Sequence, residues 1–223
     1  AFSDPVSYEF SGFAAKVIAA DFDNDGRPDV AVFSSAPGSS ASSVTILKNV
    51  GGGRLQVEGT YSSGFPYVMD MSAGDVNNDG HVDLVVTPQW SYVTTLLGDG
   101  TGAFPVSKVL TTPLEHYYVA LGDVTGDGRL DVVATNPVTS NISVFAGNGD
   151  GTYAAAGTYA TSTAPYGLAL VDLNADGRLD VVAANYYSGD LSVFLGQANG
   201  TLGARTQYPG LERNSFVSAA DLN

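Results

Sequence analysis

Aspartate recurs at a fixed spacing in four nine-residue segments of this chain. In the first segment, residues 21–29, carboxylates stand at positions 1, 3, 5 and 9, and glycine stands at position 6. A hard divalent cation takes about six to eight oxygen ligands, and glycine permits the sharp turn that wraps a chain around it. The spacing therefore predicts a metal site in each segment, with the backbone carbonyl of position 7 as a further ligand.

The candidate metal ligands are positions 1, 3, 5, 7 and 9 of each segment. They are Asp21, Asp23, Asp25, Arg27 and Asp29; Asp75, Asn77, Asp79, His81 and Asp83; Asp123, Thr125, Asp127, Arg129 and Asp131; and Asp172, Asn174, Asp176, Arg178 and Asp180. Because position 7 would bind through its backbone, and because arginine and histidine both occur there, its side chains are expected in solvent.

Other interpretations of these segments are weaker. Aspartate-rich β-turns that bind no metal remain an alternative. An EF-hand requires a bidentate glutamate at position 12, where this chain has Val32, Val86, Ala134 and Ala183. Magnesium prefers fewer protein ligands and keeps more of its water. We therefore expect about four calcium ions, with a structural role.

The residue types give little support to catalysis. The chain has two histidines and no cysteine, and most of its paired carboxylates lie inside the metal segments. A catalytic metal would need an open coordination position beside a general base. We predict that the chain is not an enzyme.

The net formal charge of −14 comes largely from the metal segments, which hold thirteen of the 23 acidic residues. This charge argues against nucleic acid or an anionic membrane surface as a partner. No apolar run approaches the ~18–20 residues that membrane insertion requires. Since weakly binding calcium loops fill best where calcium is plentiful, we expect a secreted or cell-surface protein.

Each segment belongs to a longer repeat. The first aspartates of the four segments, and of a partial fifth that begins at Asp221, lie 54, 48, 49 and 49 residues apart. Each repeat holds four short apolar stretches and a glycine-rich hairpin turn, without helical periodicity. This pattern predicts an all-β fold, a β-propeller of four-stranded blades with four complete repeats of ~49 residues.

The predicted blade units are residues 13–61, 68–110, 118–159 and 167–208, within a single domain over residues 1–223. Residues 1–10 and 216–223 would supply the outer and inner strands of a split partial blade. We therefore expect a fragment of a larger ring, and a closed five-blade ring with one deficient blade is the alternative.

The fourth strand of each repeat carries an apolar residue and, six residues later, usually a tyrosine. The pairs are Phe2/Tyr8, Leu55/Tyr61, Phe104/Leu110, Tyr153/Tyr159 and Leu202/Tyr208. An even step places both members of a pair on one face of a strand.

The four loops, each followed by strand residues such as those of segment 131–136 and then by a glycine-rich turn, resemble FG-GAP/VCBS repeats. Such repeats build the calcium-bearing blades of integrin-α-type propellers and of some fungal and bacterial lectins. The resemblance covers nearly the whole chain. It implies calcium on the side chains at positions 1, 3, 5 and 9 and on the carbonyl at position 7. Thr125 departs from the usual Asp or Asn at position 3, so the third site is expected to be the loosest.

Aromatic residues collect on the propeller face opposite the calcium loops. The candidate ligand-binding residues are Trp90, Tyr118, Tyr166, Tyr186 and Tyr187, with amides at Gln89, Asn136 and Asn185 nearby. Rings beside amides suit sugars or peptides, through stacking and hydrogen bonds. The alternative is that some of these rings wedge between blades as core.

These observations together predict a calcium-stabilised extracellular recognition or adhesion module that binds glycan or protein on the aromatic face. One alternative is a structural or self-assembling surface protein, whose open strand edges pair between chains. Another is the non-catalytic propeller of a larger secreted enzyme.

Overall fold

The structure is a computed structural model that describes residues 7–10, 12–35, 41–64, 67–88, 91–210, 213 and 215–219. The described residues form strands and no helix. Sixteen strands make up four antiparallel four-stranded sheets. The predicted all-β class is confirmed. None of the described segments forms a helix of the length and apolar character that crossing a membrane requires.

The sheets follow chain order, and each is one blade of a β-propeller. The first blade contains β1 (Phe13–Ala20), β2 (Asp29–Ser35), β3 (Ser43–Gly51) and β4 (Arg54–Ser62); the second contains β5 (Val68–Gly74), β6 (Asp83–Pro88), β7 (Tyr92–Leu97) and β8 (Val106–Thr111); the third contains β9 (Val119–Gly122), β10 (Asp131–Asn136), β11 (Asn141–Gly147) and β12 (Tyr153–Ala160); and the fourth contains β13 (Pro165–Val171), β14 (Asp180–Asn185), β15 (Asp190–Phe194) and β16 (Thr206–Pro209). These bounds agree with the predicted blade units to within a few residues.

Burial follows the position of a strand within its blade. All residues of β10 in the third blade are buried, because this sheet has a neighbouring blade on each face. Such a strand reads as a nearly continuous apolar run. The fourth strands are mostly exposed: half-buried residues recur among exposed ones in β8, and all four residues of β16 are exposed.

Three hydrophobic clusters join consecutive blades. In the first, Phe33 and Ile46 of the first blade pack with Leu84 and Phe104 of the second. Equivalent clusters join the second blade to the third and the third to the fourth. Burying a large apolar side chain contributes about 1.5–3 kcal/mol, so stacking the blades supplies stability that a single sheet cannot.

The first strands lie side by side around a central channel of about 460 Å³. β1 contacts β5, β5 contacts β9, and β9 contacts β13. Residues 217–219 also line this channel, next to β13. A Cβ added to Gly167 would come within 2.9 Å of the Val217 backbone nitrogen, so this close approach requires glycine.

The expected partial blade is described only in part. Residues 215–219 occupy the place of a further first strand but carry no strand assignment. Residues 1–6 and 220–223 lie outside the described residues.

The tyrosines of the fourth strands fasten one blade to the next. The Tyr159 hydroxyl accepts the backbone N–H of Leu202 at 3.1 Å, and the Tyr8 hydroxyl accepts that of Leu55 at 2.9 Å. Tyr61 meets Phe104 edge-to-face, with ring centroids 5.3 Å apart. The six-residue spacing therefore marks contacts between blades.

Candidate functional site

The four predicted metal segments form loops with one shared backbone conformation. These first to fourth loops are residues 21–29, 75–83, 123–131 and 172–180, each between the first and second strands of its blade. In the first loop, Asp21 accepts the N–H groups of Asp25 at 3.1 Å and Gly26 at 2.8 Å. The aspartate at position 1 makes the same two bonds in the other three loops.

Positions 4 and 6 of every loop have left-handed backbone angles. Position 4 is Asn24 (φ 57°), Asn78 (60°), Gly126 (74°) and Ala175 (57°), and position 6 is always glycine. Glycine and asparagine adopt this region readily, whereas alanine does so at a cost. The sequence reasoning explained the glycine at position 6 but missed position 4, for which Asn24, Asn78 and Gly126 were the available signal.

The aspartate at position 9 is buried in every loop and ties the loop to its own blade. Asp131 accepts the N–H of Val124 at 2.9 Å through Oδ2 and that of Gly147 at 2.9 Å through Oδ1. Asp29, Asp83 and Asp180 make the equivalent pair of bonds. This fastening role was not foreseen from the sequence, which assigned position 9 to the metal alone.

The donor set of the loops fits a hard divalent cation. In the first loop, carboxylate oxygens of Asp21, Asp23 and Asp29 all lie within 4.8 Å of one another. A cation with oxygen ligands at about 2.3–2.6 Å spans such a distance, as calcium does. In the second loop, burial raises the pKa of Asp83 to about 6. A carboxylate in that position is stabilised in its charged form by a nearby cation.

The arginine side chains at position 7 are 40–45% exposed, and each is anchored by hydrogen bonds at its guanidinium group. The Nε atoms of Arg27 and Arg129 donate to the carbonyls of Asn49 at 2.9 Å and Gly147 at 2.7 Å. Arg178 reaches the Gly196 carbonyl in the same way at 3.2 Å. Each guanidinium also forms an ion pair with the aspartate at position 5. Arginine is long enough to bridge the loop and the C-terminal end of the third strand or the residues just after it.

Neighbouring loops and turns also touch between blades. The His81 Nδ1 atom of the second loop lies 2.7 Å from the Asn24 side-chain nitrogen of the first. Gly100, in the glycine turn of the second blade, lies against the same two side chains. Between the third and fourth loops there is instead a cavity of about 390 Å³, where position 4 is Gly126 and has no side chain.

The first loop contains one additional ion pair. Lys48 on β3 pairs with Asp23 at position 3, and its Nζ atom lies 3.9 Å from Asp25 Oδ2. Position 3 is uncharged in the other three loops.

Aromatic rings gather on the opposite side of the propeller. The aromatic surface consists of Tyr117, Tyr118, Tyr166, Tyr186, Tyr187 and Phe216, joined by edge-to-face contacts with centroids 5.1–6.4 Å apart. Tyr187 and Phe216 are 71% and 80% exposed, and the other four are half-buried. The structure thus brings together four of the five predicted ligand-binding residues, Tyr118, Tyr166, Tyr186 and Tyr187. Trp90, the fifth, lies outside the described residues together with Gln89.

Phe216 was missed by the sequence reasoning. It stands five residues before Asp221, as Tyr118 stands five residues before Asp123. This repeat position was the available signal, and the two rings are in contact.

The amides expected beside these rings are not on the surface. Asn136 and Asn185 are 1% and 0% exposed. The Asn185 Nδ2 atom donates to Asp190 Oδ1 at 2.8 Å and to Ser192 Oγ at 2.9 Å, and Asn136 bonds Ser143 equivalently. Both residues end a buried second strand, where their amides join the second strand to the third.

His116 precedes Tyr117 in the chain but is fully buried. Its ring packs edge-to-face on Phe145, with centroids 5.3 Å apart. Burial lowers the pKa of His116 to about 4. The imidazole is therefore neutral at physiological pH and takes no part in the exposed surface.

A family model of the FG-GAP-like repeat matches residues 21–86, 75–134, 123–183 and 172–223. The chain belongs to the FG-GAP-like repeat family. Each of the first three matches begins at one aspartate loop and runs through the next. Each of these matched units of the FG-GAP-like protein therefore spans the last three strands of one blade and the first strand, the loop and most of the second strand of the next.

Solved structures of low sequence identity share this fold. A functionally unknown protein from Desulfotomaculum acetoxidans DSM 771 has a TM-score of 0.71 at 10% identity, over 96% of this chain and 61% of that one. BBS1N in complex with ARL6DN, soaked with lead, gives 0.58 at 14% identity, over 86% and 55%. The mercury-soaked form gives 0.58 at 13%, over 87% and 56%. The FG-GAP-like chain thus spans about three fifths of these structures. None of the curated proteins compared with it matches significantly.

Proposed function

We propose that this FG-GAP-like protein is a calcium-stabilised recognition module that acts outside the cell and binds an extracellular protein through its aromatic surface. The observation that carries the proposal is the continuous contact of six aromatic rings on the face opposite the loops.

Calcium is supported by the donor set and by charge. Four divalent ions would bring the net formal charge from −14 to roughly −6. At free calcium ten times the dissociation constant, each bound ion adds about 1.4 kcal/mol to the free energy of unfolding. If the loops bind as weakly as the calcium sites of extracellular modules do, this occupancy requires the high calcium concentration found outside the cell, which supports a secreted or cell-surface location.

The composition of the aromatic surface favours a protein partner over a sugar. Asn136 and Asn185, which would have bonded sugar hydroxyls, are buried, and their amide nitrogens already donate to residues of the neighbouring strand. The rings that remain are tyrosine and phenylalanine, large amphipathic or apolar groups with few rotamers to immobilise. Tyrosine is among the residues that dominate the binding energy of protein interfaces.

A non-catalytic role is supported by the places of the titratable groups. Asp83, His116 and Tyr153 have pKa values displaced to about 6, 4 and 12, and burial is the main cause for each. Asp83 belongs to a loop, and the other two are packed within or between blades. All three side chains are buried, so none of them lies on a surface where a substrate could contact it.

The proposal is tested by panning a phage-displayed random peptide library on the calcium-loaded chain, with a glycan array in parallel. We expect selected peptides whose binding falls at least about tenfold in Tyr187→Ala. Tyr208→Ala is the matched control, since Tyr208 is 52% exposed on β16 and lies outside the aromatic surface. Peptides that bind both variants equally, or glycan binding without peptide binding, would overturn the proposed partner.

A further inference from the structure

Lys48 and Asp23 form a pair that occurs in the first loop alone among the four. Lys48 extends from β3, and its ammonium contacts Asp23 and lies 3.9 Å from Asp25 Oδ2. The Asp23 side chain is 4% exposed, whereas that of Lys48 is 33% exposed. A nearly buried carboxylate thus has a half-buried cation as its partner.

The other three loops lack both members of this pair. The residues that occupy the place of Lys48 in strand register are Leu97, Ala146 and Leu195. The residues at position 3 are Asn77, Thr125 and Asn174. The additional carboxylate and the additional ammonium therefore appear together, and their charges cancel.

We propose that Lys48 is a tethered competitor for calcium in the first loop, holding the Asp23 carboxylate when the ion is absent. This inference rests on the proposed binding of calcium. The first loop is then an exchangeable site that keeps its shape without metal, whereas the remaining loops depend on the ion.

The electrostatics of the first loop explain the competition. With four carboxylates it would otherwise attract calcium more strongly than a loop with three, since affinity rises with ligand charge. Calcium must therefore compete with the ammonium for the negative charge of Asp23. Asp25 already forms an ion pair with Arg27 and lies near Lys48. Its negative charge is therefore partly neutralised before calcium binds.

The displaced ammonium has a second partner within reach. Glu58, an exposed residue of β4, interacts electrostatically with Lys48. Lys48 can therefore exchange Asp23 for Glu58 without losing all compensation of its charge. This lowers the cost of calcium entry and makes the exchange reversible.

Calcium titration calorimetry on the metal-free full chain tests the competition. We expect Lys48→Leu, which installs the residue found at positions 97 and 195, to raise the affinity of one ion by about tenfold. The double variant Asp23→Asn with Lys48→Leu gives the loop the composition of the fourth, and the gained affinity should disappear. Lys108→Leu is the control for charge, because its partner Asp150 lies outside the loops.

A second readout is independent of calcium binding. In excess EDTA, Lys48→Leu should melt several degrees below the unaltered chain, because Asp23 loses its cation, and the double variant should recover. Calcium isotherms that are identical for the unaltered chain and Lys48→Leu would overturn the competition while leaving calcium binding intact. Absence of calcium uptake by every variant would instead overturn the proposed calcium function, and this inference with it.

Discussion

Lys16 and Asp70 form an ion pair beside the central channel, with 2.6 Å between Lys16 Nζ and Asp70 Oδ1. Asp70 is 4% exposed, and its Oδ2 atom accepts the backbone N–H of Val119 at 3.1 Å. The three residues belong to β1, β5 and β9. One carboxylate therefore fastens three consecutive blades at their inner strands.

Lys16→Met is expected to lower the free energy of unfolding by about 1–3 kcal/mol, because it leaves a nearly buried carboxylate without its cation. The measurement is urea denaturation at fixed free calcium. Adding Asp70→Asn to Lys16→Met should recover part of the loss, since the amide oxygen still accepts the Val119 N–H. A double variant no more stable than Lys16→Met would show that the charge of Asp70 is not what makes the loss.

The blades were predictable from the sequence because the same spacing of aspartates and glycine recurs in each blade. Asp21, Asp75, Asp123 and Asp172 each open a loop between a first and a second strand, so their spacing gives both the repeat and its boundaries. The hydrophobic second strands could be located in the same way, because each begins at the last aspartate of its loop. Local sequence patterns that repeat four times were therefore sufficient to predict the fold class.

Contacts between blades were less predictable, because equivalent positions carry different residue types. The positions equivalent to Asp70 in the other three blades hold Lys16, Tyr118 and Gly167. The sequence pattern of a single blade does not indicate that Lys16 and Asp70 form an ion pair. The burial of Asn185 was also not predictable from its own segment, since it depends on hydrogen bonds to Asp190 and Ser192 in the neighbouring strand.

Removal of calcium should destabilise the protein. If the four loops bind calcium as proposed, excess EDTA is expected to lower the melting temperature by at least about 10 °C, since four ions would each contribute roughly 1.4 kcal/mol or more near saturation. Differential scanning calorimetry at several calcium concentrations measures this shift. Calcium should restore the melting temperature and magnesium should not, because magnesium demands near-octahedral geometry. An unchanged melting temperature would contradict a stabilising metal.

Ala175 is the strained member of the position-4 residues, with φ of 57°. Ala175→Gly is expected to raise the free energy of unfolding by about 1 kcal/mol, because glycine adopts left-handed angles without a Cβ clash. Chemical denaturation at saturating calcium measures the change. Ala154→Gly, at an exposed site in β12, is the control and should lose about 0.5–1 kcal/mol. A loss of stability in both variants would argue that the fourth loop does not need the left-handed angle.

The burial of His116 should make stability depend on pH. Burial lowers its pKa to about 4, below the value of 6.5 for the exposed group. Between these values the unfolded chain binds a proton that the folded chain does not, so stability falls as the pH drops from about 6.5 toward 4, by up to roughly 3 kcal/mol. Protonation of the loop carboxylates also contributes at the acid end, so the informative quantity is a difference between variants. Urea denaturation of the unaltered chain and of His116→Leu, at pH 7.5 and pH 5, should show a smaller loss for the variant. Equal losses in the two proteins would mean that His116 is protonated in the folded state, and that its burial carries no pH-dependent cost.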